Sequence, residues 1–92
     1  MITVHIPTPL RRFTGERSQV DVSGETVGQV LRALVEEHPG LKKNLFSDQG
    51  VLRSYINVYV NDEDIRFQQK DATPLRAGDK LSIVPSIAGG IS

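Results

Sequence analysis

The chain has 92 residues, which is the length of one small domain and excludes a second one. Lys and Arg together number 11, as do Asp and Glu, so the net charge is zero, which argues against general nucleic-acid binding. The hydrophobic fraction of 38% and the charged fraction of 24% are ordinary for a globular protein and argue against wholesale disorder.

The chain contains no cysteine, so thiol nucleophiles, thiolate metal sites and disulfides are excluded. Residues 1–6 have neither the basic start nor the long apolar run of a signal peptide. No later stretch approaches the roughly 20 apolar residues of a membrane span. We therefore expect a soluble cytoplasmic protein without a membrane partner.

The first predicted elements are two strands. Ile2, Val4 and Ile6 alternate with polar residues, which is typical of a strand with one buried face, and Pro7 ends the pairing. The same period returns at residues 19–22, after a turn at Gly15 and Glu16. The two segments predict an opening hairpin.

A helical period begins at Thr26. The apolar residues that follow fall at i, i+3, i+4, i+7 and i+8, and form one stripe: Val27, Val30, Leu31, Leu34 and Val35. Thr26 is predicted to cap the helix with Gln29 at the capping-box position, and Pro39 with Gly40 to end it near His38. A short helical turn is predicted within residues 41–46.

The second half of the chain returns to alternation. Residues 55–60 predict a strand whose buried row is Ile56, Val58 and Val60, followed by a turn over residues 61–64 and a short strand over residues 65–67. The inward row of the last strand is Leu81, Ile83 and Pro85. These elements predict an α+β fold, in which one main helix packs across one face of a mixed sheet with its first and last strands parallel.

Four segments together resemble a known family: Ile6-Pro7-Thr8 with Leu10-Arg11, the helix entry at 24–27, Tyr59-Val60-Asn61-Asp62-Glu63-Asp64 with Arg66-Phe67, and Ile87-Ala88-Gly89-Gly90. The chain is similar to the β-grasp, ubiquitin-like sulfur carriers of the ThiS/MoaD superfamily, and most to their CysO-like branch. The resemblance implies a β-grasp domain over residues 1–86 and a flexible tail over residues 87–92 that carries the glycine pair.

The resemblance assigns the chemistry to Gly90, and the chain itself is then a cosubstrate rather than an enzyme. In the family, an E1-like enzyme uses ATP to adenylate the terminal glycine, and sulfur from a donor displaces AMP to leave a thiocarboxylate. No cofactor is expected on the carrier. Gly89 and Gly90 suit this role because a tail without Cβ atoms can enter a narrow activating site.

Ile91 and Ser92 follow Gly90, so the encoded carboxylate is not the one that the family activates. The resemblance implies that a JAMM-type zinc peptidase cleaves between Gly90 and Ile91; the alternative is an incidental tail. A PLP-dependent synthase or another acceptor would then take the sulfur for cysteine, methionine or a sulfur-containing metabolite. A different class also stays open, a β-grasp binding or conjugation module without sulfur transfer.

Two groups of residues are candidates for partner docking. Arg11 and Arg12 follow the first strand and either meet an acidic partner or only solvate a loop. Tyr55, Asn57 and Val84 are predicted on the outward face of the sheet, as a docking patch or as ordinary surface. The acidic run at residues 62–64 is interpreted as a turn, and no metal site is predicted.

Overall fold

The computed structural model describes residues 1–86. Five strands occur in them: β1 (Ile2–His5), β2 (Gln19–Val22), β3 (Ile56–Val60), β4 (Glu63–Asp64) and β5 (Lys80–Pro85). The α-helices are α1 (Val27–Glu37) and the single turn α2 (Lys42–Leu45). Short 3-10 helices cover the connections: Thr8–Phe13, Pro39–Leu41, Ile65–Phe67 and Lys70–Ala72.

The strands form one mixed sheet in the order β2-β1-β5-β3-β4. β1 and β2 are the antiparallel hairpin that the sequence predicts, with Val4 opposite Val20. β1 and β5 are parallel neighbours, with Val4 opposite Leu81. β5 also pairs antiparallel with β3, and β5 is therefore the central strand and the last described element before the tail.

Helix α1 has the boundaries that its capping residues predict. The Thr26 hydroxyl accepts a hydrogen bond from the Gln29 amide at 3.2 Å. The Gln29 side-chain oxygen in turn accepts a hydrogen bond from the Glu25 amide at 2.9 Å. The helix ends at Glu37, because Pro39 cannot continue the intrahelical bonds. Both ends are thus set by local sequence.

The core lies between α1 and one face of the sheet. The residues of the predicted inward rows are buried, apart from Pro85, which is half-buried: Ile2, Val4, Ile6, Val20, Val22, Ile56, Val58, Val60, Leu81 and Ile83. On the helix, Leu34 has no exposed surface and Val35 lies partly buried at the margin. The predicted helix orientation and sheet face are confirmed.

The predicted short strand over residues 65–67 is wrong. The turn after β3 contains only Asn61 and Asp62, both with positive φ (50° and 74°), as a two-residue hairpin requires, so β4 starts already at Glu63. Asp64 then accepts the Arg66 amide at 2.8 Å and starts a 3-10 turn. That turn buries Ile65 without any strand pairing.

Within the described part of the chain, no helix is long and apolar enough to cross a membrane. The predictions for the tail over residues 87–92 lie outside the described residues. They concern its flexibility, the glycine pair Gly89 and Gly90, and the processing site at Gly90 and Ile91.

Candidate functional site

One end of the sheet contains Ser86, the last residue that the structure describes. Pro85 of β5 lies opposite Ile56 of β3, and the Ser86 amide donates a hydrogen bond of 2.6 Å to the Tyr55 carbonyl oxygen. Because β1 is parallel to β5 and β3 is antiparallel to it, the last residues of β1 and the first residues of β3 lie at this same end of the sheet. Residues around Ser86 are therefore placed to meet any partner that receives the tail.

The loop after β1 contributes Arg11 to this end of the sheet. Its Nε donates a hydrogen bond to the Ile6 carbonyl oxygen at 3.1 Å, so the guanidinium is anchored on the backbone just after β1. The buried Thr14 hydroxyl lies 3.2 Å from the carbonyl oxygens of both Arg11 and Arg17 and holds the loop closed. Arg11 thus has a structural role, and only part of its guanidinium remains for a partner.

Arg12 is exposed and differs from its neighbour. Its guanidinium carbon lies 5.8 Å from the centre of the Phe13 ring, within the range of a cation–π contact. Phe13 itself packs on the core and on Gly40, where a Cβ would come within 2.7 Å of the ring. Arg12 is therefore an exposed cation that contacts an aromatic ring held in place by the core.

The structure brings Tyr55, Asn57 and Val84 together on the outward face, as predicted. Asn57 lies directly opposite Val84 in the β3–β5 register, and Tyr55 immediately precedes β3, where its carbonyl oxygen accepts the hydrogen bond from the Ser86 amide. Tyr55 is 41% exposed and Val84 44%. No hydrogen bond within residues 1–86 joins this patch to Arg11 or Arg12, which lie at the same end of the sheet two strands away.

Sequence reasoning missed the ion pair that borders this patch. Arg66 donates from one terminal nitrogen to the Asp64 carboxylate at 2.8 Å and to the Asn57 side-chain oxygen at 2.8 Å. Its Nε lies 3.2 Å and 3.3 Å from the two Asp64 oxygens, so the pair is bidentate. An acidic residue two positions before an arginine was the available signal, but the Asn57 contact depends on the sheet register.

Electrostatics favour the charged form of this pair. The hydrogen bonds from the Arg66 side chain, followed by the one from its amide, lower the pKa of the Asp64 carboxyl below its ordinary range. The same contact raises the pKa of Arg66. The 2.8 Å bond thus fixes Asn57 in one orientation at the border of the patch.

Taken together, the described site offers recognition rather than bond chemistry. It combines two half-exposed apolar side chains, a fixed amide and an exposed cation around the tail exit. Such a surface can bind a partner protein through apolar contact and directed hydrogen bonds. We therefore interpret it as the surface that orients the tail toward another protein.

Comparisons with known proteins identify the family of this chain. Residues 4–90 match the ThiS family. The chain is 43% identical over 91 residues to the sulfur carrier protein CysO of Mycobacterium tuberculosis, covering 97% of this chain and 98% of that protein. It is 41% identical over 83 residues to small archaeal modifier protein 1 of Haloferax volcanii, covering 88% and 91%.

The comparison of folds finds a protein of the same kind. A chain in the crystal structure of the BexX/CysO complex of Amycolatopsis orientalis superimposes with a TM-score of 0.88 and 41% identity, covering 98% of this chain and all of that one. Because that structure shares both sequence and fold with this chain over its full length, the expected β-grasp architecture is confirmed.

Proposed function

Because this chain belongs to the ThiS family, we propose that it is a sulfur carrier whose C-terminal carboxyl, at Gly90, is converted to a thiocarboxylate that supplies sulfur to a biosynthetic enzyme. The observation that carries the proposal is the 43% identity with the sulfur carrier protein CysO over almost the whole of both chains. The absence of cysteine supports it further, because no side chain of this protein can carry persulfide sulfur.

Activation of the tail requires a separate E1-like enzyme. The Gly90 carboxylate attacks the α-phosphate of ATP, which forms an acyl adenylate and releases pyrophosphate. Sulfide from a donor then attacks the acyl carbon, and AMP leaves with the bonding electrons. The product is a thiocarboxylate, a soft nucleophile that is anionic near neutral pH. All catalytic groups for these steps belong to the partner, and this chain supplies the reacting carboxyl.

A processing step must come first, since Ile91 and Ser92 follow Gly90 in the encoded chain. The match to the ThiS family ends at Gly90, which supports a boundary between the functional tail and an extension. We assign the cleavage to a JAMM-type zinc peptidase, which would hydrolyse the Gly90–Ile91 amide and leave a free glycine carboxylate. The encoded chain is then a precursor.

The sulfur acceptor in this proposal is a PLP-dependent synthase. In that enzyme, PLP and the acceptor substrate would together provide an electrophile. The thiocarboxylate adds to that electrophile and links the carrier to the nascent amino acid, and hydrolysis by the peptidase frees the product. Cysteine is the favoured product because this chain shares 43% identity with the sulfur carrier protein CysO. Ser86, the last described residue, follows β5, and Tyr55, Val84 and Arg12 at this end of the sheet are the residues that we propose to dock these enzymes.

The decisive experiment compares two forms of the protein, the 92-residue chain and a chain ending at Gly90. Each is incubated with the E1-like enzyme, ATP and a sulfide donor, and the intact mass is measured. Only the trimmed form should gain the mass of one sulfur in exchange for one oxygen. Equal thiocarboxylation of both forms would remove the precursor step. No reaction of either form with an enzyme proven active on its own carrier would overturn the sulfur-carrier proposal.

A second candidate function is favoured by the 41% identity with a small archaeal modifier protein. In this case the adenylated Gly90 would be attacked by a lysine amino group of a target and form an amide with loss of AMP. The same reaction mixture separates the two functions. Conjugation yields an adduct of higher mass that hydroxylamine does not cleave, whereas sulfur transfer yields only the thiocarboxylate.

A further inference from the structure

A second surface borders the tail-exit patch, which consists of Tyr55, Asn57 and Val84, and shares Asn57 with it. A groove of about 1000 Å³ separates α1 from the segment 50–54. Its helical wall uses residues at i, i+3, i+4, i+7 and i+8: Gly28, Leu31, Arg32, Val35 and Glu36. Because Gly28 and Glu36 are eight positions apart, the groove follows α1 for about 12 Å.

The floor of this α1 groove is apolar. It is formed by Leu31 together with Ile56 and Val58 of β3, and the partly buried Phe46 and Leu52 stand at its side. Val51 at the lip is 60% exposed. The volume lies at the upper end of the range of roughly 300 to 1,000 Å³ that is typical of binding pockets. The groove can therefore accept several apolar side chains at once.

The rim of the groove is positively charged, although the whole chain is neutral. Five cationic and three anionic side chains line it, and Arg66 is paired with Asp64. The four other cations are Arg32, Lys42, Arg53 and Lys70, and they face only Glu36 and Asp71. None of these four makes an ion pair within residues 1–86. The rim therefore complements an anionic partner.

The backbone geometry decides which kind of segment fits. β3, which forms the floor, is paired with β5 on one side and β4 on the other, so it offers no free edge for strand addition. A bound segment must satisfy its own backbone hydrogen bonds, and an α-helix does so. A helix lying along α1 would place apolar residues on the floor and acidic residues against the rim.

We propose that the α1 groove is a second docking surface, which binds an amphipathic helix with flanking acidic residues on a partner protein. The α1 groove shares Asn57 with the tail-exit patch, but Tyr55, Val84 and Ser86 do not line it, so a partner bound in the groove need not contact them. This surface thus allows the carrier to stay tethered while its tail enters an active site. The inference does not depend on the sulfur chemistry of Gly90.

The test uses the full 92-residue protein and a 14-residue helical peptide that has leucines on one face and glutamates on both flanks. Backbone amide shifts in the NMR spectrum should move saturably for Val35, Leu52 and Arg53. A peptide with lysines in place of the glutamates should bind about tenfold more weakly. Absence of saturable shifts, equal binding of both peptides, or shifts confined to Tyr55 and Val84 would overturn the proposal.

Variants locate the binding energy. Val51→Glu places a carboxylate at the lip and should weaken the glutamate peptide about tenfold, whereas Val84→Glu, the same change outside the groove, should leave its affinity unchanged. Lys70→Glu should weaken it about fivefold, since exposed charge contacts contribute modestly. Equal effects of the two valine variants would contradict the location. Self-association that Val51→Glu abolishes would show instead that the occupant is a second copy of this chain.

Discussion

Asn61 joins the β3–β4 hairpin to Asp79 at the entry of β5. Its side-chain nitrogen donates to the Asp79 carboxylate at 3.0 Å, and its side-chain oxygen accepts the Lys80 amide at 3.0 Å. Its own amide donates to the Lys80 carbonyl oxygen at 2.9 Å. One turn residue therefore fixes the start of the strand that leads, at its far end, to the tail.

This relationship predicts a stability loss for Asn61→Gly. The substitution keeps the positive φ of 50° available but removes both side-chain hydrogen bonds, so we expect the free energy of unfolding to fall by about 1 to 2 kcal/mol. Asp62→Gly is the matched control, because Asp62 also has a positive φ and is exposed. Urea unfolding of both variants measures the difference. Equal stabilities would show that the side chain of Asn61 contributes nothing.

The core makes a second, larger prediction. Leu34 has no exposed surface beneath α1, and Leu34→Ala should lower the free energy of unfolding by about 2 to 5 kcal/mol through lost apolar contact and the cavity left behind. Glu37→Ala, on the exposed side of the same helix, should change it by less than about 0.5 kcal/mol. Chemical denaturation of the two variants gives both values. A small effect at Leu34 would contradict the packing described above.

The elements that sequence patterns predict well are those in which local period and burial agree. Val58 and Ile83 lie in rows of apolar residues at every second position, and Leu34 falls on the helical stripe, so each reaches the core as expected. Ile65 and Phe67 also alternate, but Asp64 caps a 3-10 turn there, and a local hydrogen bond overrides the strand period. Phe67 is consequently left 83% exposed.

Features that depend on contacts between distant segments were not predictable from one sequence. The bond from Arg66 to Asn57 exists only because β4 lies beside β3 in a defined register. The α1 groove likewise needs the distance between the helix and the segment 50–54, which no local pattern encodes. By contrast, Asn57 and Val84 share one face by simple alternation, and the sequence predicted that placement. Their role in docking, together with Tyr55, stays a prediction.

The Asp64–Arg66 pair should make stability depend on pH in the acidic range. The pKa of Asp64 is lowered in the folded protein by the Arg66 hydrogen bonds, so the unfolded chain binds the proton more tightly. This contribution is fully present above the unfolded pKa of about 3.9 and is lost as the pH falls from there through the folded pKa.

Asp64→Asn should therefore reduce the difference in stability between pH 6 and pH 3, measured as the shift of the urea midpoint. Asp62→Asn, two residues earlier in the exposed turn, is the control and should retain the difference found in the unmodified protein. An unchanged pH response in Asp64→Asn would mean that other carboxylates dominate acid unfolding. Asp79, whose pKa is also lowered, by the Arg76 amide and then by Asn61, is the next one to substitute.

Arg12 provides the clean test of docking at the tail end of the sheet. Arg12→Glu reverses an exposed charge that makes no hydrogen bond within the described residues, so the fold should remain intact while activation by the E1-like enzyme slows. Arg11→Glu is less informative, because Arg11 also anchors the Ile6 carbonyl oxygen. The rate of AMP formation with trimmed protein measures the effect, and Arg76→Glu, before β5 at the opposite end, is the matched charge reversal. Equal rates for Arg12→Glu and Arg76→Glu would remove Arg12 from the docking surface.

Gly90→Ala tests the chemistry of the tail separately from the fold. The core that the structure describes runs from Ile2 to Ile83, so we expect the variant to unfold at the same urea concentration as the unmodified protein. A Cβ at position 90 stands next to the scissile carbonyl and to the acyl carbon that the activating enzyme must reach, so cleavage and thiocarboxylation should both slow. We expect at least a tenfold loss of rate in each assay, equivalent to about 1.4 kcal/mol of barrier. Ala88→Ser, two residues earlier, is the control for tail composition and should retain most activity. Full activity of Gly90→Ala in both assays would exclude a steric requirement for glycine at the reacting carboxyl and would direct attention to the terminus at Ser92 instead.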